Sequence, residues 1–296
     1  MIKIGDFEIH LINDCTIMAD AGGPFGLVPR SLWQNLYIPP NQDNQVPMVT
    51  ICLLVKTAGK IILIDTGHGD KLPRRMQQLT HMNGTGGLLR GLAELNIQPE
   101  AIDIVIDTHL HGDHAGGNTR FVEGDTKEVT ASFPNATYFV HAREYEDALK
   151  PNERTRATYH LHNYQPLVES GQMQLLTDQL NEIIPGITTV LAPGHTPGHM
   201  AVRFESQGQH AAFLCDLASF SIHFERLAWM TAYDVEPLIT LETKRIWQQW
   251  ALETQATLIF PHDAQRPVAR LIQNSGKPYL ENIDTHIING MMLPES

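Results

Sequence analysis

The sequence predicts an α+β fold in which two β-sheets are flanked by helices. Strand-sized apolar or alternating runs recur along the 296 residues with helical runs set between them, and that order appears in two similar halves. No repeat, low-complexity tract or linker interrupts the pattern, so residues 1–296 read as one domain, long enough to bury a large core.

Phe7 to Ile12 alternates apolar and polar residues, as a half-buried strand does. Residues 19–47 are rich in Gly, Pro and Asn yet carry Phe25, Trp33, Leu36 and Tyr37, which marks an N-terminal loop extension acting as a lid or a dimer contact. Thr50 to Lys56 and Lys60 to Asp65 are apolar runs joined by Thr57-Ala58-Gly59, a hairpin signature. Leu88 to Leu95 is helical in pattern and stops before Pro99. Ile102 to Ile106 and Thr137 to Val140 are strands, the second followed by a helix over Ala142 to Leu149. Further strands are expected near Thr188 to Leu191, His199 to Glu205 and His210 to Cys215. A helix from about Pro237 to Glu253 follows, its Ile239, Ile246 and Trp250 recurring on one face, and then a final strand over Ala256 to Phe260.

With 21 Lys+Arg against 33 Asp+Glu the formal net charge is −12, which speaks against a nucleic-acid partner and against anionic lipid. The opening residues Met1 to Asp6 lack a signal-peptide pattern, and no run reaches the roughly 18 apolar residues of a membrane helix. The three cysteines, Cys15, Cys52 and Cys215, are widely spaced and odd in number, which fits a reducing cytoplasm. The histidine content stands out at 15.

Directly after the strand ending at Asp107 come His109, His111, Asp113 and His114, a density of metal-competent groups that a core cannot absorb without partners for each. In an extended segment His109 and His111 project to one side, and a turn at Gly112 brings Asp113 and His114 to a second position. Three later strand-end positions add donors: His195 in a Pro/Gly-rich loop, Asp216 closing the run Ala211 to Cys215, and His262 after Leu258-Ile259-Phe260-Pro261. Imidazole and carboxylate donors without thiolate suit zinc, manganese, iron or cobalt. Cys215 adjoins Asp216, but alternation along a strand would send its thiol to the other face. The remaining histidines read as ordinary polar or core residues.

Taken in order, His109-x-His111-x-Asp113-His114, His195, Asp216 and His262, with Leu63-Ile64-Asp65-Thr66-Gly67 upstream, resemble the metallo-β-lactamase superfamily over roughly residues 48 to 263. The resemblance implies an αββα sandwich and a two-metal site, zinc first, with manganese, iron or cobalt as alternatives. It assigns His109, His111 and His195 to one ion, Asp113, His114 and His262 to the other, and Asp216 to both as a bridge. Two ions about 3.5–4 Å apart share a hydroxide that attacks an ester-like or phosphoryl centre, with Asp113 and Asp216 as the catalytic carboxylates. Asp65 would orient a ligand histidine.

Four stretches, Gly22 to Pro29 with Leu32-Trp33, Asn152 to Arg156 with Thr158-Tyr159, Trp229 to Asp234, and His109 to Asn118, resemble lactonases that open N-acyl homoserine lactones. A small-molecule lactone or ester is the implied substrate, in a pocket drawn from Phe25, Trp33, Tyr159, Ser219, Phe220, His223 and Trp229. Ser219 stands where some of these lactonases carry a tyrosine, and Tyr159, Tyr233 and His223 are the side chains that would replace it. Aryl-ester or organophosphate hydrolysis on the same site is the alternative activity, and a metal-binding protein without turnover is the alternative class. Relatives are often dimers, which makes a homodimer the expected assembly.

Overall fold

A computed structural model describes residues 1–57, 59–125, 127–274 and 276–290. The described residues form two compact units: 1–16, 50–177 and 286–290 in the first, 17–49 and 178–285 in the second.

The sheet of the first unit has eight strands, in the order Ile2–Ile4, Phe7–Asp20, Gln45–Lys56, Ile61–Ile64, Ile104–Ile106, Thr137–His141 and Met173–Leu176, with Ile287–Ile288 paired to Phe7–Asp20. The expected hairpin is present: Leu53 to Lys56 pair antiparallel with Ile64 to Ile61, and Thr57 N–H donates to the Lys60 carbonyl at 3.0 Å. Ala58, within that turn, lies outside the described residues. Ile61–Ile64, Ile104–Ile106 and Thr137–His141 run parallel, so the segments that leave their C-terminal ends emerge at one edge of the sheet. Those segments begin with Asp65, Asp107 and Ala142. The helices Gly87–Glu94 and Ala142–Leu149 bury Leu88, Leu92 and Ala148 in one core with Leu54, Leu63, Val105, Tyr138 and Val140 of the strands.

In the second unit seven strands follow the order Leu180–Ile184, Ile187–Leu191, Met200–Ser206, Gln209–Phe213, Thr257–Ile259, Val268–Asn274 and Lys277–Asn282. Two successive antiparallel pairings and one parallel pairing give Ile187–Leu191, Gln209–Phe213 and Thr257–Ile259 the same direction. Their C-terminal ends therefore deliver the segments bearing His195, Asp216 and His262 to one edge of that sheet. Residues 19–47 are more structured than a plain loop: the short helices Gly22–Phe25 and Arg30–Trp33 lie within them, and Phe25, Trp33, Tyr37, Val46 and Met48 share a core with Phe220 and Ile222.

Two expectations need correction. Helix Pro237–Thr254 leaves Ile239 41% and Ile246 65% exposed, with Trp250 half-buried against the core. The helix buries Thr240, Thr243, Lys244, Trp247, Gln248 and Ala251, because the surface under it presents backbone carbonyl oxygens as well as apolar side chains. Lys244 Nζ donates to the carbonyls of His223 (3.1 Å) and Trp229 (2.6 Å), and Thr243 Oγ1 to that of Pro193 (2.9 Å). Burial lowers the Lys244 ammonium to about 8, with Asp234 working the other way. The strand expected to end at Cys215 ends at Phe213; Cys215–Ala218 is a 3₁₀ turn with Cys215 at φ 47, so strand alternation does not direct its thiol.

No helix among the described residues is long and apolar enough to cross a membrane. The buried face of Pro237–Thr254 can be tested directly. Trp247→Ala should cost about 3–5 kcal/mol in denaturant unfolding, whereas Ile246→Ala on the exposed face should stay within about 0.5 kcal/mol; equal losses would contradict the assigned face.

Candidate metal centre

In the first unit, Asp65 stands at φ 57, a left-handed backbone that turns its carboxylate back under the next strand end. There it accepts from the Thr108 backbone N–H (2.8 Å) and from Thr108 Oγ1 (2.9 Å), and its other oxygen lies 2.8 Å from His114 Nδ1. Since the Thr108 hydroxyl hydrogen points to Asp65, its oxygen is left to accept from His109 Nδ1 at 3.2 Å. That fixes the His109 tautomer with its Nε2 lone pair outward, 3.1 Å from His111 Nδ1. The His109 and His114 rings are 4.1 Å apart, and Asp113 Oδ2 is 3.6 Å from His114 Nε2. All three histidines are buried, while the Asp113 side chain keeps 30% of its exposure. The chain can turn back so tightly after His114 because a Cβ at Gly116 would sit 2.3 Å from the His68 carbonyl oxygen.

The second unit brings His195, Asp216 and His262 together at the shared strand end. Asp216 Oδ2 lies 3.2 Å from His195 Nε2, and Oδ1 lies 3.2 Å from His262 Nε2. Both imidazoles are pinned from behind: His262 Nδ1 donates to the Val49 carbonyl at 2.8 Å, and His195 Nδ1 faces Asp234 Oδ1 at 3.0 Å. Gly194, at φ 137, permits this approach, since a Cβ there would meet the Thr240 backbone nitrogen at 2.5 Å. With each Nδ1 held by an acceptor, a neutral imidazole at either position presents its Nε2 lone pair to a carboxylate oxygen. Two electron-rich atoms at that separation repel unless positive charge lies between them. The donor set therefore fits divalent cations, with one Asp216 oxygen available to each of two imidazoles.

Three supporting residues escaped the sequence reading. His199, an ordinary histidine by sequence, accepts from the Asp216 backbone N–H through Nε2 (3.1 Å) with its Nδ1 on the Ala192 carbonyl (3.0 Å). Glu144, buried at the start of its helix, accepts from the Leu110 N–H and the Tyr159 hydroxyl, both at 3.0 Å. Asp234 holds His195. Their only sequence signals were proximity to the Pro/Gly loop of His195 and membership of the Trp229 to Asp234 stretch.

Of the suggested pocket residues, Phe25 stacks on Trp33 (4.1 Å, 1° between planes) and meets Phe220 at 5.9 Å and His223 at 5.8 Å. Trp229 is half-buried beside them, with the Arg226 guanidinium 4.9 Å over its ring. Ser219 is buried, and its carbonyl accepts from the His262 N–H at 3.1 Å. Tyr159 belongs to the first unit, where its ring lies 5.0 Å from that of His111. Burial, with Glu144 nearby, raises its phenol, so it acts there as a neutral donor.

The family model of the metallo-β-lactamase superfamily matches residues 47–246. The chain is 24% identical over 226 residues to an N-acyl homoserine lactonase of Bacillus thuringiensis, covering 73% of this chain and 81% of that one. Among solved structures, a probable metal-dependent hydrolase from Staphylococcus aureus is similar at a TM-score of 0.86 and 31% identity, covering 99% of this chain and 100% of that one. AidC, a dizinc quorum-quenching lactonase, shares the fold at a TM-score of 0.80 and 20% identity over 96% of this chain and 97% of its own.

Burial lowers the His223 imidazole to about 3, Lys244 adding to the effect and Asp216 opposing it. A depressed histidine contributes stability above its unfolded value of 6.5 and loses it as pH falls toward 3. His223→Phe should therefore flatten the acid limb of a stability–pH curve between those limits, by up to about 1.4 kcal/mol per pH unit; an unchanged limb in urea titrations would refute the buried neutral state. The tautomer-fixed donors and the matched family agree: this chain belongs to the metallo-β-lactamase superfamily, as one of its hydrolases.

Proposed function

We propose that the chain opens lactones, N-acyl homoserine lactones foremost, with two divalent metal ions, zinc first, held by His109, His111, His195, Asp113, His114, His262 and Asp216. The observation that carries the reading is the Asp216 carboxylate, with one oxygen facing the Nε2 of each of two histidines. The lactonase relatives support the substrate class. When bound, such a pair of ions activates water at neutral pH and polarises a carbonyl oxygen.

The chain's own groups do the rest. Asp216 spans the two donor positions and sets their spacing. Asp113, the more exposed carboxylate, takes up a proton at the reacting centre and passes it to solvent. Phe25, Trp33, Phe220, Trp229 and the ring of Tyr159, whose hydroxyl donates to Glu144, hold the acyl chain by apolar contact, and His223 and Ser219 supply hydrogen bonds to substrate oxygens. Both units form one functional domain in this reading, acting in the cytoplasm and paired as a homodimer through residues 19–47. Ser219, in place of the longer tyrosine, favours one second reading: aryl-ester or organophosphate hydrolysis on the same metals.

The test is turnover by zinc- and manganese-loaded protein on a panel of N-acyl homoserine lactones, aryl esters and phosphotriesters. Lactone kcat/KM on the order of 10⁴ M⁻¹s⁻¹ or more, well above the others, is expected; equal weak rates throughout would reject the lactone assignment, and no turnover beyond one equivalent would reject catalysis. Chelation should abolish activity. Asp216→Ala should reduce it by more than the roughly 10–100-fold that loss of an outer partner costs, and wild-type rates with metal retained would remove Asp216 from the mechanism.

A further inference from the structure

The stretch from Trp229 to Asp234 lies outside the strands and supplies none of the proposed metal ligands, yet it comes directly against the loop of His195. Asp234 is 4% exposed, and its Oδ1 accepts from His195 Nδ1 at 3.0 Å and from Thr231 Oγ1 at 2.9 Å. Two main-chain bonds clamp the same junction: Val235 N–H to the His195 carbonyl (3.2 Å) and Glu236 N–H to that of Gly194 (2.9 Å). We infer that Asp234 is the positioning residue of His195, fixing the tautomer that presents Nε2 to a metal, and that Thr231 fixes Asp234 in turn. This rests on the metal reading above and adds to it a dependence of metal affinity on Asp234 and Thr231.

The physics is that of a carboxylate behind an imidazole. An acceptor at Nδ1 forces the ring hydrogen there, which leaves Nε2 as a lone-pair donor, and the negative charge raises the basicity of that lone pair. At the corresponding nitrogen His262 donates to a neutral carbonyl, that of Val49. His195 has the charged partner, so its donor strength depends on Asp234 more than that of His262 depends on Val49. Thr231 matters because a carboxylate with one bond fewer is free to rotate away from the ring.

A merely structural role would make Asp234 a loop staple, and removing it would lower the stability of the apo-protein without changing metal affinity. The experiment measures zinc stoichiometry and affinity by competition with a chromophoric chelator, alongside the apo-protein Tm, for the wild type, Asp234→Ala, Asp234→Asn and Thr231→Val. Asp234→Ala is expected to weaken one of two bound zinc ions by about 10–100-fold, with Asp234→Asn intermediate and Thr231→Val smaller still. The near-isosteric Asn variant decides the matter if the Ala variant fails to fold. Wild-type zinc affinity in both Asp234 variants overturns the inference and leaves the metal reading intact. A wild type that holds fewer than two zinc ions overturns the metal reading and this inference with it.

Discussion

A lone pair aimed at a carboxylate oxygen is an electrostatic conflict, and the second unit builds that conflict twice, on the two oxygens of Asp216. In the first unit His109 Nε2 and His111 Nδ1 lie 3.1 Å apart, within hydrogen-bond reach. These arrangements hold because each ring is pinned from behind by Thr108, Asp65, Asp234 or the Val49 carbonyl. The parallel strand ends, the left-handed Asp65 and the missing Cβ of Gly194 are the means by which the backbone reaches those pinning positions.

The donors themselves were legible in the sequence, because each follows an apolar strand-sized run and such runs can be recognised by length and branching alone. The strand hairpin and the helix Ala142–Leu149 were legible for the same reason. The pinning residues were not. Asp234, His199 and Glu144 act through hydrogen bonds to partners 39, 17 and 34 positions away, and no local periodicity encodes such pairs. The face of helix Pro237–Thr254 was misread because apolar periodicity assumes an apolar floor. Here the floor includes main-chain oxygens of residues 193, 223 and 229, and Thr and Lys side chains answer them better than Ile does.

Ser219 separates two roles that one position can combine. Its carbonyl accepts from the His262 N–H, a bond that any side chain at 219 would preserve. Its side chain is thus free to vary with substrate while the ligand loop stays in place. In the proposed function, position 219 would support a ligand loop through its backbone and tune substrate choice through its side chain, two roles on different atoms.

The pairing of Ile287–Ile288 with Leu11 and Ile12 has a consequence for how the chain is made. Asn13 Nδ2 donates to the Gly290 carbonyl across 277 positions, and Asn289 returns bonds to the carbonyls of Asn13 and Gly87. During vectorial synthesis on the ribosome the stretch at Leu11–Ile12 emerges early, but its outer neighbour arrives only after the whole of the second unit. Until then one flank of a buried-type strand stands open, the kind of edge that recruits foreign strands. The first unit can therefore close that flank only once residues 287 and 288 have been made, so the open edge persists throughout synthesis of the second unit.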